Sequence, residues 1–237
     1  MTHNAYFNWS GGKDSAMALY QIQQDGNYNI RSLLTSLNDL HKRISMHGVR
    51  EELLDLQAES LGIPLLKLFL SDQPDMDEYN LKMEKTVLRL KEKGLTHAVF
   101  GDIFLEDLKK YREEQLSHAG MEAVFPIWKK NTRQLIHNFI DLGFKSVIVC
   151  IDANKLDRSF VGRIIDEKFV DDLPENVDPC GENGEFHSFV FDGPIFKKPI
   201  PIKKGEVVYR EYPPPDSSGN GESKKMGFWF CDLLPEN

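Results

Sequence analysis

Through the first two-thirds of the chain one unit recurs: a short apolar run, a stretch with apolar residues at helical spacing, a glycine, then another apolar run. Residues 5–9 read as a first strand, after which Ala16, Leu19 and Tyr20 recur at helical spacing. Residues 30–37 read as a second strand. Leu53, Leu54, Leu56 and Leu61 predict a helix that stops at Gly62, and 64–70 is the next strand. Further helical stretches end at Gly94, Gly120 and Gly143, where a helix terminus favours a residue free to take positive φ. The apolar runs behind them are 97–100, 122–127 and 145–151, and Asn131 with Gln134 has the form of a capping box. Strands alternating with helices over short connections require right-handed crossovers. The expected fold is therefore α/β, a doubly wound, Rossmann-like parallel sheet covered by helices on both faces. Ligands in such folds sit beyond the carboxyl ends of the strands, where the strand order reverses.

Ser10-Gly11-Gly12-Lys13-Asp14-Ser15 falls at such an end, after the first strand and at the start of the first helix. Consecutive glycines let the backbone approach a ligand and aim several N–H groups at one place. The unpaired N–H groups and dipole of a helix start favour an anion there. Ser10 and Ser15 add hydroxyls and Lys13 a positive charge, whereas Asp14 suits a helix cap or a magnesium ligand. The turn reads as a phosphate cradle. It lacks the four residues that separate the first glycine from Gly-Lys-Ser/Thr in a Walker A loop.

The remaining third changes character. It holds the run 178–185 with two glycines and two glutamates, an apolar run at 186–191, and strand-like runs at 207–212 and 226–233 around a Pro/Ser/Gly loop at 213–223. This predicts a nucleotide domain over 1–128 and a smaller C-terminal α/β or β-rich domain over 129–237. A net charge of −8 weighs against a nucleic-acid partner. Cys150, Cys180 and Cys231 are too few and too scattered for a disulfide framework or a cysteine-rich zinc site. Residues 1–8 lack the charged-then-apolar order of a signal peptide, and no apolar run is long enough to span a bilayer, so no membrane partner and a cytoplasmic location are expected.

The hexapeptide resembles the PP-loop of the N-type ATP pyrophosphatases, and that resemblance implies an HUP-type fold. It also implies ATP as substrate, attack at its α phosphate, an adenylylated intermediate, and AMP with pyrophosphate as products. Other stretches extend the likeness: 34–36, 46–50, Gln57-Ala58, 61–65, Gly101-Asp102-Ile103, 125–128 and 181–190. Together they resemble the diphthine–ammonia ligase-related family, which adenylylates a carboxylate and lets ammonia displace AMP. Two segments depart from the family's characterised branch. Its Gly-Glu-Gly-Gly-Glu-Tyr-Glu-Thr is Gly-Glu-Asn-Gly-Glu-Phe-His-Ser here, and its Gly-Ala-Ile is Gly101-Asp102-Ile103. Both segments belong to the acceptor side, so the resemblance implies ammonia and an unidentified carboxylate or carbonyl acceptor, protein-borne or free.

On that resemblance Ser10, Gly11, Gly12, Lys13, Asp14, Ser15, Thr35, His47, Arg50, Gly101 and Asp102 are the expected ATP-binding residues. Lys13, Asp14, Glu182, Glu185 and His187 are the expected catalytic ones. Glu182, Asn183, Glu185 and His187 are placed at the acceptor, and Asp14 with Asp102 at a Mg2+ ion. Glu182 and Glu185 are otherwise a solvated acidic turn, and His187 either a general base or a hydrogen-bonded histidine. Cys180 reads as a buried thiol and Cys150 as core. A tRNA-thiolation enzyme and a non-catalytic nucleotide-binding regulatory module are the alternatives, and the sequence leaves a homo-oligomer open.

Overall fold

A computed structural model describes residues 2–44, 47–72, 74–212 and 225–236. Met46 and the loop at 213–223 lie outside the described residues.

β1 (His3–Asn8) runs parallel to β2 (Tyr28–Asn38) on one side and to β5 (His97–Val99) on the other. β4 (Leu65–Leu70) pairs parallel with β2, and β6 (Glu122–Val124) pairs parallel with β5. Leu33 and Leu34 bond β1 and β4 at once, so those two strands lie on opposite edges of β2. The parallel order is therefore β4-β2-β1-β5-β6. A two-residue strand, β3 (Arg43–Ile44), adds antiparallel to the end of β2. The chain leaves β1 toward β2 and β4, then crosses back to β5 on the other side of β1. The crevice between the carboxyl ends of β1 and β5 is thus the switch point, and the glycine-rich turn opens into it.

Alternation along β1 explains why both faces are covered. Ala5 and Phe7 join a core with Ala16 and Leu19 of α1 (Lys13–Asp25) and Leu53 and Leu54 of α2 (Glu51–Leu61). Tyr6 points the other way, into a second core with Val87 and Leu90 of α3 (Met76–Glu92) and Leu116 of α4 (Glu106–His118). The predicted helix stops are where expected: Gly94, Gly120 and Gly143 all have φ between 62° and 83°. Asn131 accepts a hydrogen bond from the Gln134 N–H at 3.0 Å and caps α5 (Thr132–Asp141).

The rhythm misleads at its last repeat. β7 (Lys145–Asp152) does not extend the parallel sheet; it is antiparallel to β8 (Phe186–Asp192) and β10 (Met226–Pro235). With β9 (Ile202–Tyr212) these form a second sheet ordered β8-β7-β10-β9, flanked by the short α6 (Glu167–Asp171). β6 is only three residues long and partly exposed, so the parallel sheet ends there. A continuous buried run such as 146–151 fits a parallel or an antiparallel centre strand equally, and periodicity cannot choose. No helix among the described residues is long and apolar enough to cross a membrane.

β8 is an edge strand, and its edge is docked on the first domain. Val190 N–H donates to the Gly11 carbonyl at 2.9 Å, and the Gln57 carboxamide donates to the Val190 carbonyl at 2.7 Å and to Gly11 at 3.0 Å. Backbone groups that would otherwise template aggregation are thereby satisfied.

Candidate active site

Beyond the carboxyl ends of β1, β2 and β5 lies a cavity of about 810 Å³, closed on its far side by the 181–188 segment. The glycine-rich turn, the expected phosphate cradle, forms one wall. Gly11 takes φ +77°, and a Cβ there would meet the Gln57 carboxamide at 2.7 Å. Gly12 is the extended N-cap of α1, with no side chain to cap it. Ser10 and Ser15 hydroxyls bond one another at 2.8 Å across the turn, and Gly12 N–H donates to Ser10 Oγ at 3.3 Å. Ser188 Oγ accepts from Lys13 N–H at 3.2 Å, so β8 contacts the cradle itself. The Lys13 ammonium is buried and lies 2.8 Å from Asp14 Oδ2. Burial alone would lower its pKa, but Asp14 and neighbouring acidic groups raise it above the ordinary value, so it remains a cation.

Gly101 follows β5 and sits against the start of α1. A Cβ there would fall 3.0 Å from Ser15 N and 3.1 Å from the Asp14 carbonyl carbon. Thr35, at the end of β2, lines the cavity and donates its hydroxyl to the Trp9 carbonyl at 2.5 Å. Asp102 bonds Arg112 of α4 through Oδ1 at 3.1 Å, with the Arg112 guanidinium over the Phe100 ring. Burial raises the Asp102 pKa against the pull of Arg112.

Glu182 reaches from the second domain to the segment after β5, where its Oε1 accepts the Ile103 N–H at 2.7 Å. Burial, opposed by that hydrogen bond and reinforced by Asp14, pushes its carboxyl up to about 7. Asn183 is exposed at the rim. The His47 and His187 rings lie 4.6 Å apart, beside Gly12. Burial lowers His47 to about 4 and drives His187 well below its ordinary value, so both imidazoles are neutral at pH 7.

Three expected residues stand elsewhere. Gly11 faces β8 and Gln57 rather than the cavity. Glu185 is buried behind the loop, where its carboxylate accepts the N–H groups of Asp178 and Asn183 at 3.2 and 2.9 Å and shapes the 178–185 turn. Arg50 pairs with Asp232 of β10 at 2.6 Å. The remaining expected residues all line the one cavity. Cys180 is buried and its thiol donates to the Thr132 carbonyl at 3.3 Å; burial raises its pKa, which keeps it a thiol.

Gln57, Tyr79, Arg112 and Ser188 were given no site role, although Gln57 and Ser188 fall in stretches that carry the family likeness. Gln57 left a physical signal as well: a carboxamide inside the apolar stripe of α2, between Leu54 and Leu61, is fully buried and needs partners. Its third hydrogen bond comes from Trp9 Nε1 at 2.9 Å. Among the described residues the buried side-chain polar atoms without a partner are His47 Nδ1, Asp102 Oδ2 and Arg112 Nε, and all three residues line the cavity. Buried polar groups are ordinarily satisfied, so these three atoms are open to water or a polar ligand in the cavity.

A family model described as the diphthamide synthase N-terminal domain matches residues 4–123, and one described as the diphthamide synthase C-terminal domain matches 131–213. The chain is 25% identical over 222 residues to a diphthine–ammonia ligase of Homo sapiens, covering 84% of this chain and 82% of that protein. A diphthine–ammonia ligase of Danio rerio is 25% identical over 220 residues, with 84% and 86% covered. One of Schizosaccharomyces pombe is 26% identical over 222 residues, covering 84% of this chain but 36% of that longer protein. With an N-terminal model spanning half the chain and a C-terminal model following it in order, this protein belongs to the diphthamide synthase family.

Proposed function

We propose that this protein is an ATP-dependent ligase that adenylylates a carboxylate or carbonyl acceptor and amidates it with ammonia, releasing AMP and pyrophosphate. Residues 1–128 act as the nucleotide domain and 129–237 as the acceptor domain. The observation that carries this reading is the closure of the 181–188 segment over the cradle, with Ser188 on Lys13 N–H and Glu182 on Ile103 N–H. It sets a carboxylate near neutral pKa and two neutral imidazoles opposite the phosphate-binding turn.

In the first step an acceptor oxygen attacks the α phosphorus and the bond to the β-phosphate oxygen breaks. Charge grows on the departing pyrophosphate, which the cradle N–H groups and the Lys13 ammonium stabilise without reorganising. In the second step ammonia attacks the acyl carbon, the bond to AMP breaks, and the nitrogen loses a proton. Glu182, with its carboxyl near 7, is suited to take it. Asp102, through its unpartnered Oδ2, and Asp14 are the residues that would hold a Mg2+ ion here. Such an ion neutralises phosphate charge and favours the leaving group.

The test is incubation of the pure protein with ATP, Mg2+, ammonium and a pool of carboxylates, with the nucleotides resolved. AMP with pyrophosphate supports the ligase. ADP refutes attack at the α phosphate, and bound but unconverted ATP points to a regulatory module.

A further inference from the structure

His47 lies beside Gly12 yet belongs to neither the glycine-rich turn nor the 181–188 segment. It sits in a tight turn whose stems are Arg43 and Arg50, paired by an isolated antiparallel bridge. Ile44 N–H donates to the Val49 carbonyl and Gly48 N–H to the Ile44 carbonyl, both at 2.9 Å. The described residues of the turn thus carry their own backbone bonds, and the His47 ring rests beside Gly12, but these contacts leave the stems to be constrained from outside.

That constraint comes from the far end of the chain. Asp232 of β10 accepts from Arg43 NH1 through Oδ1 at 2.8 Å, and from Arg50 through Oδ1 at 3.1 Å and Oδ2 at 2.6 Å. Arg43 NH1 also donates to the Gly48 carbonyl at 2.5 Å, which links the clamp to the residue beside His47. Phe230, two residues before Asp232, fills the space a Gly48 side chain would need, with its Cδ1 3.1 Å from the ideal Cβ position. Burial works against ionisation of Asp232, yet the Arg50 and Arg43 guanidiniums hold its carboxyl below the ordinary value. One carboxylate therefore grips both stems, and a bidentate guanidinium fork fixes direction as well as distance. β10 lies beyond the segments that the two family models match.

We infer that Asp232 is a positioning residue: through Arg43 and Arg50 it clamps both stems of the 43–50 turn and so sets the His47 imidazole against His187 and the phosphate cradle. Its consequence for nucleotide binding rests on the cradle holding ATP; its consequence for His47 does not.

The experiment compares wild type, Asp232→Ala, Asp232→Asn, Asp232→Glu, His47→Ala and the double variant of Asp232→Ala with His47→Ala. Two readouts are used: imidazole NMR titration of the ATP-free full chain, and calorimetric binding of ATP with Mg2+. Far-UV circular dichroism identifies any variant that fails to fold, and the isosteric Asp232→Asn carries the test if the alanine variant does. In wild type, burial is expected to hold the His47 midpoint down to about 4. Loss of the clamp is expected to let the ring reach water and to move that midpoint toward the ordinary value of 6.5. ATP affinity is expected to fall about tenfold, the equivalent of about 1.4 kcal/mol. Asp232→Ala is expected to add nothing in a His47→Ala background, and Asp232→Glu to restore part of both effects. An unmoved His47 midpoint in folded Asp232→Ala or Asp232→Asn overturns the inference, as does full additivity of the two losses. If wild type binds no ATP, the cradle reading fails, and the His47 midpoint still decides the role of Asp232.

Discussion

Glu182→Gln separates stability from activity in a way few substitutions at this site do. The glutamine oxygen still accepts the Ile103 N–H, so the 2.7 Å bond that closes the loop survives and only the titration is lost. In wild type the folded carboxyl sits near 7 against 4.5 for the ordinary group, chiefly because burial penalises the charge. Between those two values the folded chain retains a proton that the unfolded chain has released. Stability therefore falls as pH rises through the window and levels off above about 7. A gap of that size corresponds to about 3 kcal/mol as a ceiling. Glu182 keeps partial contact with water, which screens the charge and reduces the expected effect to about 1–2 kcal/mol. Urea unfolding of both proteins at pH 4.5 and pH 8.5 reads it directly. At the lower pH the two curves are expected to be close; at the higher pH the variant is expected to be more stable by about 1–2 kcal/mol. AMP release coupled to ammonia should nonetheless drop about 10²–10⁴-fold, the usual worth of a general base. ATP–pyrophosphate exchange, which does not need that base, should persist. A stability difference that is the same at both pH values would refute the claim that burial has raised the Glu182 pKa.

Lys13→Ala is expected to abolish AMP formation while leaving the far-UV circular dichroism spectrum intact; unchanged turnover would remove the cradle from the chemistry. Gln57→Leu strips partners from the Val190 carbonyl and Trp9 Nε1, and one of two from the Gly11 carbonyl. It should cost about 2–4 kcal/mol in chemical unfolding, and a loss below about 0.5 kcal/mol would contradict its bridging role. Gly101→Ala drives a methyl group against the backbone of Asp14 and Ser15, neither of which can rotate away. A loss of about 1–3 kcal/mol with weaker ATP binding by calorimetry is expected, and undiminished ATP affinity would show that the turn has room to move.

What the sequence made legible was what is local. The place of the glycine-rich turn could be read because strand, turn and helix are contiguous in the chain. The helix stops could be read because a left-handed residue announces itself as glycine. What could not be read depends on pairing across the chain. Periodicity placed β7 in the wrong sheet because a buried strand looks alike in both. Arg50 was placed at the nucleotide from the family likeness of 46–50, and nothing local announces its pairing with Asp232, 182 positions away. His187 and Ser188 are neighbours on β8, where side chains alternate, yet both reach the cavity. The reason is that β8 meets the cradle with its edge, not with one face. A ligand beside an edge is accessible to side chains from both faces, and the extra residue Val149 in β7 shifts the register opposite that step.

That edge contact changes what the two glycines are for. A phosphate cradle needs backbone N–H groups and no Cβ in the way, and the sequence justified Gly11 and Gly12 on those grounds alone. In the structure Gly11 turns its carbonyl outward to Val190, while the space a Gly12 side chain would occupy is bordered by the Ser188 carbonyl at 3.2 Å and the His47 ring at 3.3 Å. Gly11 therefore receives the second domain, while Gly12 lies between that domain and the cavity. The two requirements cannot be varied independently: any side chain at position 12 that blocks a phosphate also lifts β8 and His47 off the loop. The distance from cradle to Glu182 is consequently fixed by backbone contacts rather than by a hinge. The exposed Asn183 and Gly184 rim of the cavity is held within its own turn instead, by the Glu185 carboxylate and the Gly181 carbonyl.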